Sequence, residues 1–146
     1  MLGLDFGSGY NPRDGYLTCD CVYSPKLDFV FDREKYKVID APSQIFDKIY
    51  CRNVIHHVPN LTRLFLEFRR LLKIDGSLMI VEPTRDSFKT NQILDIVWYR
   101  FVIPQYDIWF SSKYRDYNNV LKKLGFIEEC RGKLLEKEYY VFRRIC

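Results

Sequence analysis

Short apolar runs separated by turn-forming residues dominate the first half of the chain. Each run is rich in aliphatic or aromatic residues and is too short for a typical helix, which favours β-strands. Glycine, proline, asparagine and aspartate cluster between the runs, and the polar stretch 33–44 is expected to be a loop. Four strands are therefore predicted, at residues 1–6, 16–21, 27–31 and 45–51.

The clearest helix follows residues 59–60, Pro-Asn, which supply an N-terminal cap. Apolar residues then recur at spacings of three and four over 61–72 and form one stripe. The charged residues of this segment, Glu67 among them, lie off the stripe. The Asp-Gly pair at 75–76 is expected to end the helix with a turn.

The second half of the chain continues the alternation of strands and helices. Residues 77–81 are almost wholly apolar, which predicts a strand buried on both faces. A helical pattern covers 114–124 and is closed by a glycine. The last two strands, at 126–130 and 139–144, should be antiparallel, because a parallel pair needs a crossover of about a dozen residues.

This alternation predicts an α/β fold with a mainly parallel sheet and a ligand site at the carboxyl ends of the strands. The chain of 146 residues fits one domain, 1–146. Segment 84–112 is expected to be a variable insertion, and its part 93–110 is apolar almost all round and rich in aromatic residues. Core packing, a lid over an acceptor, and a face for a second copy or a partner chain are the alternatives for this segment.

The composition narrows the class of protein. Hydrophobic residues make up 47% and charged residues 29% of the chain, which indicates a globular protein. The net charge of +4 is spread along the sequence, so nucleic acid has weak support as a partner. No stretch has the ~20 apolar residues of a membrane span and no secretion signal is present, so a cytoplasmic protein is expected. The five cysteines include no CxxC pair and are expected to be reduced core residues, and no metal site is predicted.

Candidate chemistry begins at Gly7-Ser8-Gly9, the turn that follows the first strand. Such a turn brings backbone N–H groups close to a ligand, because glycine tolerates positive φ and has no Cβ. Asp20 lies near the end of the second strand, where a carboxylate can accept hydrogen bonds from both hydroxyls of a ribose. Pro12 stands where a dinucleotide-binding loop would have its third glycine, and no P-loop motif is present. Together these features suggest a nucleoside ligand.

Four motifs resemble those of the class I S-adenosylmethionine-dependent methyltransferases and follow that family's order. They read LDFGSG at 4–9, GYLTCD at 15–20, FDKIYCRNVIHHVPN at 46–60 and FRRLLKIDGSLMIVEP at 68–83. Residues 120–129 resemble the family's last helix and penultimate strand. The resemblance implies a Rossmann-like doubly wound sheet of seven strands in the order 3-2-1-4-5-7-6, with strand seven antiparallel, and S-adenosylmethionine as the cofactor.

The resemblance also implies which residues hold the cofactor. Asp5 and the turn residues Gly7, Ser8 and Gly9 would line the amino-acid end of the cofactor. Asp20 would hold the ribose.

Three further positions have roles implied by the resemblance. Asp32, at the end of the third strand, would face the adenine, with Asp40 as the alternative. Asn53 would lie beside the methyl-donor sulfur. His57 is the candidate catalytic residue, which would orient substrate or take a proton, and the alternative is that it braces the segment before the helix. His56 has a weaker case for such a role.

The motifs leave the methyl acceptor open, and a small molecule is predicted. The alternatives are a non-catalytic methyltransferase-like binding or regulatory module and a nucleic-acid methyltransferase. Against the latter, residues 51–54 read CRNV and not the Asn/Asp-Pro-Pro-aromatic motif of amino-directed DNA enzymes. The ten residues between Gly9 and Asp20 leave room for one turn, where most members of the family have a full helix.

Overall fold

Eight β-strands, two α-helices and a 3-10 helix make up the computed structural model, which describes residues 1–21, 24–84 and 117–146. The elements in chain order are β1 (Gly3–Phe6), β2 (Leu17–Asp20), β3 (Phe29–Asp32), β4 (Lys37–Val38), β5 (Phe46–Arg52), the 3-10 helix (Ile55–His57), α1 (Leu61–Leu71), β6 (Leu72–Pro83), α2 (Asn118–Lys123), β7 (Phe126–Leu134) and β8 (Lys137–Arg144).

The eight strands form one sheet in the order β4-β3-β2-β1-β5-β6-β8-β7. β1 lies between β2 and β5 and is parallel to both, and β6 is parallel to β5. β8 is antiparallel to both β6 and β7, and its pairing with β7 has a register shift between Glu128 and Cys130. Without β4, this order is the predicted 3-2-1-4-5-7-6 with an antiparallel seventh strand. The predicted fold class is therefore confirmed.

The loop predicted for residues 33–44 is wrong at two positions, where the chain forms β4. β4 is antiparallel to β3, and Val38 lies opposite Phe31. Val38 is fully buried, and its N–H donates to Oε1 of Glu67 at 2.9 Å. A strand of two residues with one apolar side chain is too short to give a recognisable strand pattern.

The boundary between α1 and β6 lies earlier than the sequence predicts. α1 ends at Leu71 and β6 begins at Leu72, so the helix does not extend to Asp75. Asp75 instead has a φ of 66° within the first part of β6. The final hairpin is longer than predicted, because β7 and β8 continue to a two-residue connection in which Leu135 has a φ of 56°.

The apolar stripe of α1 packs on one face of the sheet. Its N-terminus is capped as predicted, because the Asn60 side chain accepts a hydrogen bond from the N–H of Arg63 at 3.0 Å. Phe6 of β1 makes edge-to-face contacts with Phe68 of α1 and with Phe31, at centroid distances of 4.9 and 5.0 Å. The fully buried residues of the stripe are Leu64, Phe65, Phe68 and Leu71.

The face of the sheet away from α1 carries polar residues of β1 and β5. Successive strand residues point to opposite faces, so Asp5 points away from α1 while Phe6 points toward it. Tyr50 pairs with Asp5 across β1 and β5, and Arg52 lies two residues farther along β5. Asp5, Tyr50 and Arg52 therefore share the face away from α1.

Glu67 is buried, although it lies off the apolar stripe of α1. Its carboxylate accepts the Val38 N–H and pairs with Arg70, whose Nε and Nη2 donate at 2.8 and 2.6 Å. Arg70 also donates from Nη1 to the carbonyl of Ala41 at 2.8 Å. A charged residue can lie beside a helix's apolar stripe and still be buried when hydrogen bonds and an opposite charge compensate it. This network joins the β4 region to α1.

Substituting Glu67 with alanine should lower the free energy of unfolding by about 2 to 3 kcal/mol, because a buried N–H and a guanidinium lose their acceptor. Glu67→Gln should cost about half as much, since the amide oxygen can still accept the Val38 N–H. Urea denaturation measures both changes, with the exposed Glu34→Ala as the control. Equal stability of Glu67→Ala and Glu34→Ala would contradict the assignment.

Candidate functional site

The turn Gly7-Ser8-Gly9 leaves the carboxyl end of β1 and is held by β2. The N–H groups of Gly7 and Ser8 both donate to the carbonyl of Cys19, at 2.8 and 3.1 Å. Gly7 has a φ of 75°, and a Cβ there would lie 2.7 Å from Cγ2 of Val54. Gly9 has a φ of 52°, and a Cβ there would meet nothing within 4 Å. Gly7 therefore allows close packing against the segment after β5, while Gly9 faces open space that a ligand can enter.

The carboxylate of Asp20 is hydrogen bonded to this turn. Its Oδ2 accepts the Gly9 N–H at 2.9 Å, and its Oδ1 accepts the Cys21 N–H at 2.7 Å. Each carboxylate oxygen has a second lone pair, so both can still accept a hydroxyl from a ligand. The two features that suggest a nucleoside, the glycine turn and Asp20, thus lie side by side.

A polar pocket with a volume of about 180 Å³ opens beside the turn. Its lining residues are Asp5, Gly7, Ser8, Asn11, Pro12, Arg13, Tyr50 and Arg52. The carboxylate of Asp5 is buried and accepts the N–H of Arg13 at 2.7 Å. Burial raises the pKa of Asp5, although this hydrogen bond and the charges of Arg52 and Arg13 oppose the rise. A cation in the pocket would stabilise the ionised carboxylate.

Asp32 and Asp40 lie at opposite ends of β3. Asp32 ends the strand, and its Oδ1 accepts the N–H groups of Glu34 and Lys35 at 2.9 and 3.1 Å. β4 runs antiparallel to β3, and the N–H of Ile39 donates to the carbonyl of Val30. Asp40, the next residue, therefore lies near the amino-terminal end of β3. Asp32 is therefore the one at the carboxyl edge of the sheet.

Asn53 lies just past β5 in the left-handed region, with a φ of 54°. Its N–H donates to the carbonyl of Val81 at 2.9 Å, and its Oδ1 accepts from Nζ of Lys137 at 2.8 Å. Asparagine tolerates this conformation better than most residues. These bonds tie the corner after β5 to β6 and β8.

Both histidines are buried in the 3-10 helix, with ring centroids 4.1 Å apart. Nδ1 of His56 is hydrogen bonded to Oε2 of Glu82. Oε1 of Glu82 accepts the N–H groups of Val54 and Ile55 at 3.1 and 2.8 Å. Sequence reasoning missed Glu82, and the available signal was a carboxylate at the end of an almost wholly apolar strand. His56 therefore has a carboxylate partner.

A family model described as a methyltransferase domain matches residues 4–127. The chain belongs to this family. The predicted methyltransferase domain is therefore confirmed.

Solved structures of low identity share the fold of this methyltransferase domain. The trans-methyltransferase CalH, crystallised in complex with SAH, is 16% identical with a TM-score of 0.68, over 99% of this chain and 51% of CalH. An S-adenosylmethionine-dependent methyltransferase from Mesorhizobium loti is 14% identical with a TM-score of 0.67, over 98% and 90% of the two chains. A putative sarcosine dimethylglycine methyltransferase from Galdieria sulphuraria is 14% identical with a TM-score of 0.63, over 98% and 78%.

The curated relatives of the methyltransferase domain are longer proteins. A highly reducing polyketide synthase of Aspergillus nomiae is 39% identical over 70 residues, which are 47% of this chain and 3% of the synthase. An uncharacterized protein of Methanocaldococcus jannaschii is 29% identical over 99 residues, which are 64% of this chain and 44% of that protein. The chain thus spans less than half the length of these two relatives.

The cysteines of the methyltransferase domain all lie within the described residues, and none forms a disulfide. Burial raises the pKa of the Cys19 and Cys51 thiols well above the usual value, and it raises the pKa of Cys21 to about 12. These three thiols are therefore protonated at neutral pH and are poor nucleophiles.

The aromatic segment 93–110 and nearly all of the predicted insertion 84–112 lie outside the described residues. Their predicted function as a lid, a core element or a dimer face stays a prediction, as does the single domain 1–146. Within the described ranges, no helix is long and apolar enough to cross a membrane.

Proposed function

We propose that this methyltransferase domain binds S-adenosylmethionine at the carboxyl edge of β1, β2 and β5 and transfers its methyl group to a small-molecule acceptor. The hydrogen bond from the Gly9 N–H to Asp20 carries the proposal. This bond joins a glycine turn that a ligand can approach closely to a carboxylate that can accept hydrogen bonds from ribose hydroxyls. The polar pocket beside this pair supplies room for the other end of the cofactor.

The residues of the pocket fit the amino-acid end of the cofactor. Asp5 is a buried carboxylate with a raised pKa, so a cationic ammonium group would relieve the cost of its ionisation. Ser8 is buried and also lines the pocket, and the backbone at Gly9 has open space where a side chain would lie. A Cβ at Gly7 would be accommodated only by moving Val54.

The remaining predicted contacts follow the edge of the sheet from β1 outward. Asp20 would accept the ribose hydroxyls, and Asp32 at the end of β3 would face the adenine. Asn53 lies on the other side of β1, past β5, where it would adjoin the donor sulfur. This order along the edge supports Asp32 over Asp40 for the adenine, because Asp40 lies at the far end of β3.

The chain itself contributes mainly positioning to the reaction. S-adenosylmethionine supplies an electrophilic methyl group on a sulfonium when it is bound. Holding an acceptor in line with such a group gives much of the acceleration, so a strong base is not required. His57 is the candidate for taking a proton from the acceptor, and Glu82 with His56 keeps the segment around it in place.

Two observations support a small-molecule acceptor. The net charge of +4 is dispersed, so no basic track of the kind that nucleic acid needs is evident in the sequence. One similar solved structure bears the name of a putative sarcosine dimethylglycine methyltransferase, whose named compounds are small amines. Screening labelled methyl transfer into small-molecule, protein and RNA fractions tests this part of the proposal.

Calorimetric titration with S-adenosylmethionine and S-adenosylhomocysteine tests the cofactor site. The purified protein should bind both, and Asp20→Ala should weaken binding by about tenfold to a hundredfold, because two hydroxyl acceptors are lost. Asp20→Asn should lose less, since it can still accept the Gly9 N–H. The control is Asp75→Ala, which removes an exposed carboxylate that pairs with Arg143.

The outcomes separate the alternatives. No binding by the intact protein at millimolar ligand would contradict the proposal. Unchanged binding by Asp20→Ala would contradict the ribose assignment alone. Binding of cofactor without transfer to any acceptor fraction would favour the non-catalytic module.

A further inference from the structure

The pocket beside the glycine turn contains side chains of both charge signs. Asp5 lies buried in its wall, while Arg13 and Arg52 line its exposed part. Neither guanidinium forms an ion pair with any residue that the structure describes. Two cations and one anion thus surround a space of about 180 Å³.

The guanidinium of Arg13 is fixed by aromatic rings. It lies 4.5 Å from the ring centroid of Tyr50 and 5.2 Å from that of Tyr16. Cation–π contacts of this kind hold a guanidinium in place without neutralising its charge. The backbone of the same residue is anchored separately, because its N–H donates to Asp5.

Arg52 approaches the pocket from the end of β5. It lies on the same sheet face as Tyr50 and Asp5, and its Nη2 is 3.5 Å from the carbonyl of Asn11. Its charge and that of Arg13 both act on the Asp5 carboxyl. The short connection between β1 and β2 is thereby placed against β5, and both guanidinium groups line the same pocket.

We infer that Arg13 and Arg52 bind the carboxylate of a zwitterionic amino-acid group whose ammonium lies at Asp5. This inference rests on the proposed cofactor site and assigns its amino-acid end to two residues that no motif singles out. A simple anion suits the pocket less well, because the Asp5 carboxylate would repel it. The volume is below the about 300 Å³ of a pocket for a whole drug-sized ligand, so it fits one end of a larger one.

Binding constants for two nucleosides test the inference without any turnover. S-adenosylhomocysteine carries the amino-acid group, whereas 5′-methylthioadenosine has the same nucleoside and thioether without it. Arg52→Gln and Arg13→Gln should each weaken S-adenosylhomocysteine by about tenfold, because one charge-assisted hydrogen bond is lost in each. Both variants should bind 5′-methylthioadenosine within about twofold of the unaltered protein, since that ligand does not reach the arginines.

Matched variants make the result decisive. Arg131→Gln removes the same charge from β7, where the guanidinium pairs with Glu128, and should leave both ligands unaffected. Arg52→Lys should recover part of the lost affinity for S-adenosylhomocysteine, because it keeps the charge. Inorganic phosphate should compete poorly with either nucleoside.

Three results would overturn the inference. Equal weakening of both ligands would show that the arginines act on the fold or on the nucleoside, and unchanged affinity for S-adenosylhomocysteine would remove them from the site. Tight competition by phosphate would make the pocket a simple anion site. Failure of the unaltered protein to bind either nucleoside would instead refute the proposed function, so the two failures are distinguishable.

Discussion

Replacing Glu82 with alanine should lower the free energy of unfolding by about 4 kcal/mol, because three hydrogen-bond partners, two of them buried, lose one side chain. Oε1 of Glu82 accepts the N–H groups of Val54 and Ile55, and Oε2 is bonded to Nδ1 of His56. All of these groups lie in or next to the 3-10 helix, which has no side-chain cap of its own. Urea denaturation of the two proteins measures the difference.

Glu82→Gln is the matched control for this prediction. Its amide oxygen can accept both backbone N–H groups, and its amide nitrogen can donate to an unprotonated Nδ1 of His56. The loss of stability should therefore be about 1 kcal/mol. If the glutamine and alanine variants were equally unstable, the charge of Glu82 and not its hydrogen bonds would hold the segment.

The second large effect is expected from Gly7→Ala, which should cost about 3 kcal/mol and abolish cofactor binding. The φ of 75° disfavours a residue with a Cβ by about 1 to 2 kcal/mol. The added Cβ would also lie 2.7 Å from Cγ2 of Val54, and such overpacking costs about 1 to 3 kcal/mol. Relief of the overlap requires the turn and Val54 to move apart, which would displace Gly9 and its hydrogen bond to Asp20.

Two comparisons separate the backbone effect of this variant from the steric effect. Gly9→Ala has the same sign of φ but open space around the new Cβ, so it should cost only about 1 kcal/mol. Val54→Ala combined with Gly7→Ala removes the Cγ atoms from the overlap, and the double variant should be more stable than the sum of the single losses predicts. Strict additivity in this cycle would contradict a direct contact between the two positions.

Most of the individual strands and the main helix could be predicted because their signals are local. The apolar stripe of α1 and its Asn60 cap lie within about a dozen residues, so sequence periodicity determines them. The meeting of Asp20 with Gly9 also follows, since neighbouring parallel strands bring their carboxyl ends to the same edge. The order of the strands in the sheet came from the resemblance to the methyltransferase family.

The residues that sequence reasoning missed depend on partners far along the chain. Glu82 bonds to residues 54–56, and Glu67 bonds to Val38, so no local pattern reports either contact. The position of Arg13 is set by its contacts with the Tyr50 ring and the Asp5 carboxylate. These two residues come together only when β1 pairs with β5. From the sequence alone, a charged residue is predicted to be exposed to solvent, because its distant partners are not known.

The two outer strands of the described sheet differ in how they resist pairing with other chains. β4 has two residues and offers little backbone for a further strand. β7 has nine, but it is interrupted by the register shift at Glu128 and carries Arg131 and Lys133 with their exposed charges. Charges and irregular register on an outer strand oppose edge-to-edge aggregation. Both outer strands thus oppose aggregation through the edges of the sheet. Substitutions that make β7 regular and apolar should therefore favour insoluble assemblies.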